Sequence, residues 1–316
     1  MGGLNQGPLA RYMDKGSKRR MKSAIGWIAV IIFWMGPPAV AKTATDQLGR
    51  PVDLPDDPQR IVSLAPSITE IIFELNQGRR LIGVTQHSNY PAEASTLPKV
   101  GSYIRLDLEK IMALKPDLCI GIKDGNPKES VERLHSMKIP VYVVDPHNLE
   151  TVIHTIAEIG LLLNASEHAN RLVNKMRSRL EKVRSMVAST ERRPRVFIQI
   201  GIAPIISVGS PTFLHDLIVE AGGINVAAGP SAYPRFSREE VLALAPDVIF
   251  ITSMDRQAVF ENVKADWSRW ADMPAARDHR VFIVDSDLFD RPSPRLLDGL
   301  ETLVQLIHPE MFAPTP

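Results

Sequence analysis

The feature that most constrains this chain is an internal repeat. At an offset of 130 residues, Leu106–Ile122 (LDLEKIMALKPDLCIGI) lies over Phe236–Thr252 (FSREEVLALAPDVIFIT), with Glu109/Glu239, Ala113/Ala243, Leu114/Leu244, Pro116/Pro246 and Asp117/Asp247 identical. Further on, PVYVVD (140–145) faces RVFIVD (280–285). Each copy reads as a helix, a Pro-Asp turn and a strand. A fold with one core and no internal symmetry is a poor match to that pattern; two lobes of the same design are a good one.

The runs around the repeat define the lobes. Ile61–Leu64, Leu81–Val84, Leu118–Ile122 and Val141–Val144 come first, then Val196–Ile200, Val248–Thr252 and Val281–Val284. They are short, rich in Val and Ile, and lack polar alternation, so they read as strands covered by helices on both faces. Helices are expected at Thr69–Leu75, Asp107–Leu114, Glu129–Met137, Phe213–Ala221, Glu239–Leu244 and Arg295–Ile307. Between the series, Ser166–Thr190 has no Gly or Pro, and Leu172, Met176, Leu180 and Val183 recur on one helical face among charged residues. The expected fold is therefore α/β: two similar α/β lobes joined by one long, mostly solvated α-helix, with a cleft between the lobes. The boundaries are a polar lead at 42–59, an N-terminal lobe at 60–164, the connecting helix at 165–193 and a C-terminal lobe at 194–316.

Charge is unevenly spread. Residues 1–41 carry Arg11, Lys15, Lys18, Arg19, Arg20 and Lys22 against Asp14, a net of +5, and the remainder is −4. An acidic body repels nucleic acid. After Lys22 come the apolar run Ala24–Met35, Gly36-Pro37-Pro38 and the triplet Ala39-Val40-Ala41. The run is shorter than the roughly 20 residues of a spanning helix and ends in small residues, so residues 1–41 read as a secretory signal peptide cleaved after Ala41. The alternative is an uncleaved N-terminal anchor. Cys119 is the single cysteine, so no internal disulfide can form, and its apolar setting marks it as a core residue.

Enzyme motifs are missing: there is no Gly-x4-Gly-Lys, Gly-x-Gly-x-x-Gly after a strand, Gly-x-Ser-x-Gly or His-Glu-x-x-His, and the eight histidines are scattered singly. No resident cofactor or metal cage is expected. Ligands of open α/β sheets sit beyond the carboxyl ends of strands. Those ends supply Tyr103, Ile122, Ile206, Tyr233 and Phe289, an apolar lining suited to a large flat ligand, and Ser67, His87, Asp290 and Arg291 for its polar edge. Ser253 also falls at a strand end.

RIVSLAPSITEIIFEL (60–75), GVTQHSNYP (83–91), LPKVGSY (97–103), LEKIMALKPDL (108–118), FIQIG (197–201), SREEVLALAPD (237–247) and FDRPSPR (289–295) together resemble the periplasmic cobalamin-binding proteins of ABC importers. These belong to the helical-backbone (class III) family of binding proteins, which also includes carriers of ferric siderophores and heme. The resemblance covers Arg60–Ile307. It implies a monomeric, non-catalytic periplasmic protein that holds a corrinoid, cobalamin (vitamin B12), edge-on between the lobes and hands it to a membrane permease dimer. His87 then stands where cobalamin binders can have a tyrosine, and Tyr103 and Tyr233 where they have tryptophans. Asp290-Arg291 falls on their acidic-plus-arginine pair. Ile122 and Ile206 depart from the pattern, since those positions are aromatic there. An imidazole at His87 could also ligate the cobalt or iron of a bound complex.

The resemblance implies a role for the duplicated glutamates as well: Glu109 and Glu239 would dock into arginine pockets of the two membrane subunits. Both also sit in first turns behind the N-caps Asp107 and Ser237, where a carboxylate favours the helix dipole by roughly 0.3–1 kcal/mol. A ferric siderophore or heme is the alternative ligand, although an anionic chelate calls for more basic residues than Arg291 and Lys123. An exported enzyme acting through Asp290 and His87 is the more distant alternative.

Overall fold

The computed structural model describes residues 41–252 and 257–312. Residues 1–40 of the expected signal peptide, and Ser253, lie outside the described residues. The chain opens with β1 (Ala41–Thr45) and β2 (Pro51–Pro55), an antiparallel hairpin. The sequence marked this stretch only as a polar lead, with no element assigned to it. It forms a hairpin because Asp46 closes the turn, accepting from Leu48 N at 3.0 Å, Arg50 N at 2.9 Å and the Arg50 guanidinium, and because Val52 and Leu54 are buried.

The first lobe follows as β3 (Ile61–Ser63), α1 (Pro66–Glu74), β4 (Leu81–Gly83), β5 (Gly101–Ser102), β6 (Arg105–Leu106), α2 (Leu108–Leu114), β7 (Leu118–Ile122), α3 (Lys128–Ser136) and β8 (Val141–Val144). Then come α4 (Leu149–Leu162) and α5 (Ser166–Val187). The second lobe comprises β9 (Arg195–Gln199), β10 (Ile205–Ile206), α6 (Phe213–Glu220), β11 (Ile224–Asn225), β12 (Arg235–Phe236), α7 (Arg238–Leu244), β13 (Val248–Ile251), α8 (Gln257–Ser268), α9 (Pro274–Arg277), β14 (Val281–Ile283), α10 (Ser286–Phe289) and α11 (Leu296–Ile307). The main sheets are β4-β3-β7-β8 and β11-β9-β13-β14, each parallel. Both place the lobe's second strand beside its first, then the third and fourth on the other side. The two lobes thus share one strand order.

The repeat has a physical basis at the Pro-Asp turn. Helices α2 and α7 end on Lys115 and Ala245, both left-handed, at φ 48° and 44°. The chain then turns through Pro-Asp into the strand. Asp117 accepts from Gln59 N and Arg60 N at 2.8 and 3.0 Å, and Asp247 accepts from Arg195 N at 2.8 Å. The arginines reach back to the ends of α2 and α7, Arg60 to the Leu114 carbonyl at 2.6 Å and Arg195 to that of Leu244 at 2.8 Å. One carboxylate therefore ties the first strand of each sheet to the third.

Successive strand residues face opposite cores. In the first sheet Ile61, Leu118, Ile120 and Ile122 face the central core, and Val62, Cys119, Val141 and Val143 an outer one. In the second, Val196, Ile198, Val248 and Phe250 join that same central core, while Phe197, Ile249, Ile251 and Val281 face a second outer one. Burial pushes the Cys119 thiol far above its ordinary pKa, in keeping with a core residue.

Helix α5 is less solvated than its sequence implies. Ala169, Val173, Met176, Leu180, Val183 and Val187 form a buried stripe that belongs to the central core along with residues of both lobes. Gly160 lets α4 close on it: a Cβ there would lie 2.3 Å from that of Ala169. On its exposed side Arg179 meets Asp298 at 2.6 Å and Glu301 at 2.8 Å, and Arg184 meets Glu220 at 2.6 Å. The connecting helix is packed and ion-paired along its length.

Candidate functional site

A cavity of about 980 Å³ opens where the two lobes face each other. Its walls are the segments that leave the strands: Ala65–Ser67 after β3, Ile122–Gly125 after β7, Asp145–His147 after β8, Ile200 after β9 and Asp290–Pro292 after α10. The start of α6 (Pro211–Leu214) closes one side. This is where parallel sheets of this order leave a crevice.

Of the residues expected here, Ser67, Tyr103, Ile122, Ile206, Tyr233, Asp290 and Arg291 line the cavity. Tyr103 comes from the β5–β6 turn. Gly125, at φ +142°, makes room for it, since a Cβ there would lie 2.7 Å from the Tyr103 ring. Tyr233 crosses the gap, its hydroxyl donating to Asp124 Oδ2 in the first lobe. Burial, and then the Asp124 carboxylate, push the Tyr233 phenol well above its usual pKa. Ile122 and Ile206 supply aliphatic walls.

Two expectations are corrected. Phe289 is 1 % exposed and sits in the central core, not on the cavity: the short helix α10 turns its ring inward. His87 does not line the main cavity either. It opens on a neighbouring groove of about 740 Å³ that shares Tyr103 and Ile104 with it. Its imidazole can meet the metal of a ligand in the main cavity only if that ligand reaches over those two side chains.

Arg291 lines the cavity, yet its guanidinium is committed. At 2 % exposure it holds Glu70, itself 1 % exposed, at 2.8 Å, pairs with Asp287, and donates to Asn89 Oδ1 and the His87 carbonyl, each at 2.9 Å. Ser293 Oγ gives Glu70 a second bond at 2.6 Å and Arg295 approaches it at 3.4 Å. Glu70 belongs to α1 and Arg291 follows α10, so the pair is a strut between lobes. Burial raises the Glu70 pKa even against the hydrogen bonds of Ser293 and Arg291 and the charges of Arg291 and Arg295. Asp290 accepts from Thr252 Oγ1 at 3.0 Å, and its pKa is pushed up to about 7, chiefly by burial; Thr252 and Arg291 oppose the rise, and Asp287 and Asp285 add to it.

Sequence reasoning missed the Asp145–His147 wall. Lys123 Nζ meets Asp145 Oδ2 at 2.6 Å, and His147 Nδ1 lies 2.9 Å from the Asp145 carbonyl. The PVYVVD/RVFIVD match ends on Asp145 and Asp285, which was a usable signal. With Lys123 and Arg291 both paired, the cavity presents no uncompensated lysine or arginine among the described residues. Among the described residues no cluster of His, Cys, Asp and Glu could hold a metal ion. Trp267 is buried, its Nε1 2.7 Å from Gln199 Oε1, and neither it nor Trp270 lines the cavity.

Glu109 and Glu239 are exposed in the first turns of α2 and α7. Asp107 caps the first helix through Lys110 N at 3.1 Å. Ser237 and Glu240 form the capping box of the second, at 2.6 and 3.2 Å.

Comparison with known proteins gives a consistent result. The profile of the periplasmic binding protein family matches residues 61–288. A vitamin B12-binding protein of Vibrio parahaemolyticus is 33 % identical over 244 residues, 77 % of this chain and 86 % of that one. Among solved structures, the periplasmic vitamin B12-binding protein of Vibrio cholerae superposes with a TM-score of 0.70 at 29 % identity, covering 81 % of this chain and 98 % of its own. A periplasmic heme-binding protein of Pseudomonas aeruginosa gives 0.73 at 28 % identity, covering 80 % and 93 %.

Proposed function

The chain belongs to the periplasmic binding protein family, in the class whose two α/β lobes are joined by a long helix, and on that premise we propose that it captures a corrinoid, cobalamin first among them. Proteins of this class bind a small molecule and deliver it to the permease of an ABC importer; they are not catalysts. The observation that carries the corrinoid reading is the charge of the cavity. Its aliphatic and aromatic walls suit a large macrocycle, and the two basic side chains that line it among the described residues, Lys123 and Arg291, are spent on protein carboxylates. A ferric siderophore chelate or the propionates of heme would meet Asp124 and Asp290, with no uncompensated lysine or arginine among the described residues of the cavity. Burying an unpaired charge is costly, so an uncharged or cationic macrocyclic face fits better. The names of the vitamin B12-binding relatives point the same way.

In this reading Tyr103 and Tyr233 contact the ligand's faces, Ile122 and Ile206 fill beneath it, and Ser67 and Asp290 bond its amide edge. Arg291 acts through Glu70 and Asp290. Asp290, neutral or charged near pH 7, can donate to a carbonyl or accept from an amide. Glu109 and Glu239 dock to the two permease subunits. Residues 1–41 direct export and are removed after Ala41, leaving a monomeric protein.

Calorimetric titration of residues 42–316 with cyanocobalamin, hemin and a ferric siderophore tests this. One-to-one binding of cyanocobalamin, recovered chemically unchanged, is the expected result. Saturation by hemin or the siderophore with no response to cyanocobalamin would leave the family role intact and overturn the corrinoid assignment.

A further inference from the structure

The groove beside the main cavity differs from it in charge. Lys99, Arg105, Lys110 and His87 line it against Asp107 alone. Lys110 takes up Asp107 at 3.1 Å. Lys99 Nζ is anchored by the carbonyls of Ser88 and Ala94 at 2.9 and 3.0 Å, neutral acceptors that fix the ammonium without cancelling its charge. The exposed Arg105 guanidinium makes no ion pair among the described residues. Two positive charges are therefore left over in the groove, next to a cavity whose own cations are paired. Tyr103 and Ile104 form the wall common to both, so a ligand seated in the cavity needs only to pass these two side chains to reach the groove.

A cobalamin has a matching division of charge. Its cobalt–corrin centre is positive and its nucleotide loop carries one phosphodiester negative charge, the whole being close to neutral. We propose that the groove is a second compartment of the ligand site and receives the phosphate-bearing nucleotide arm of a corrinoid, with Arg105, Lys99 and His87 facing the arm while the ring occupies the main cavity. This rests on the corrinoid reading above. It gives His87 a different task from metal ligation: its imidazole donates to the polar arm at the far side of Tyr103. It also accounts for how a cavity whose lysine and arginine, among the described residues, are both paired can serve a ligand that carries a phosphate.

The test uses the protein of residues 42–316, wild type and Arg105→Glu, titrated with cyanocobalamin and with dicyanocobinamide, the corrin ring lacking the nucleotide loop. Arg105 is exposed, so the substitution is compatible with folding, and retained cobinamide binding verifies it. The wild type is expected to bind cyanocobalamin more tightly than dicyanocobinamide. Arg105→Glu is expected to lose about tenfold on cyanocobalamin and nothing on dicyanocobinamide, as for an exposed charge turned from attraction to repulsion, and the loss should shrink as salt is raised. Equal affinity of the wild type for both corrinoids, or an equal change in both on substitution, overturns the groove assignment and leaves the corrinoid reading standing. Failure to bind either corrinoid overturns both. Unchanged affinities with uptake lost in cells would show that the groove serves the importer, and would also refute the proposal.

Discussion

Replacing Arg291 by Met should destabilise the protein by about 3 kcal/mol. The reasoning starts from Glu70, 1 % exposed, which keeps Ser293 Oγ at 2.6 Å but loses its 2.8 Å guanidinium partner. Removing one member of a buried pair costs about 3–5 kcal/mol, because the other charge stays buried and uncompensated. Arg295, already 3.4 Å from the same oxygen, supplies partial compensation, which places the expectation at the low end. Met restores most of the lost volume, so a cavity adds little. The double variant Glu70→Met/Arg291→Met removes both charges and should be more stable than Arg291→Met alone, with a coupling of about 2 kcal/mol. Urea unfolding of residues 42–316, followed by circular dichroism and by the buried Trp267, gives the values. Protonation links the effect to pH: the Glu70 pKa is already raised by burial, and losing Arg291 raises it further. The native variant then holds a proton that the unfolded chain releases near the ordinary glutamate pKa. Its deficit should therefore shrink as pH falls toward that value. A deficit below about 1 kcal/mol, or a double variant equal to the sum of the singles, would refute the strut.

The other expectations follow the site. Glu109→Lys/Glu239→Lys should abolish cobalamin uptake by cells while leaving the affinity in titration unchanged; a lost affinity would sink the docking role. Asp290 has a folded pKa of about 7 against 3.8 for the free side chain, so between those values the native state binds more protons than the unfolded one. Stability should fall as pH rises through that window, by at most about 4 kcal/mol, and Asp290→Asn should flatten the slope in thermal melts; an unaltered slope assigns it to other groups. Tyr233→Phe keeps the ring but loses the bond to Asp124. Ligand release measured by stopped flow should then accelerate several-fold, as for loss of one hydrogen bond of about 1 kcal/mol, and an unchanged rate would show that this bond does not retain the ligand.

The duplicated helix, Pro-Asp turn and strand were legible because their causes are largely local: the capping residues Asp107 and Ser237 and the left-handed termini before Pro116 and Pro246. Helices α6 and α11 were also legible within a residue or so, α6 with a Thr212 cap and α11 without a side-chain cap, through the apolar face that each presents to the core. The hairpin was not, because Pro51 and Pro55 read as loop residues while they in fact occupy the two ends of an edge strand, where a missing N–H is tolerated. Helix α4 was not singled out, since burial on most of its surface blurs the period of an amphipathic stripe. In the site, the strand-end rule located Tyr103, Ile122, Ile206 and Tyr233. It could not tell that Phe289 points inward, nor that Arg291 is taken by Glu70, 221 residues away in sequence. Nothing near FDRPSPR announces a partner in the first lobe. That pairing exists only once the central core has brought α1 and α10 together.

Helix α5 binds both lobes into one core, and with the strut from Glu70 to Arg291 it leaves the lobes little room to swing. For capture this would be an advantage: an empty protein that already resembles the loaded one diverts little binding energy into closing. The same rigidity limits what the protein can report. A receptor that closes by a wide rotation presents its importer with two different outlines, empty and full. If the lobes are held as α5 and the strut imply, both states offer nearly the same face, and a membrane partner would have to recognise a loaded carrier by the cargo atoms showing at the cleft mouth, beside Tyr233 and Asp124, or by the small gain in order that cargo gives to the rim.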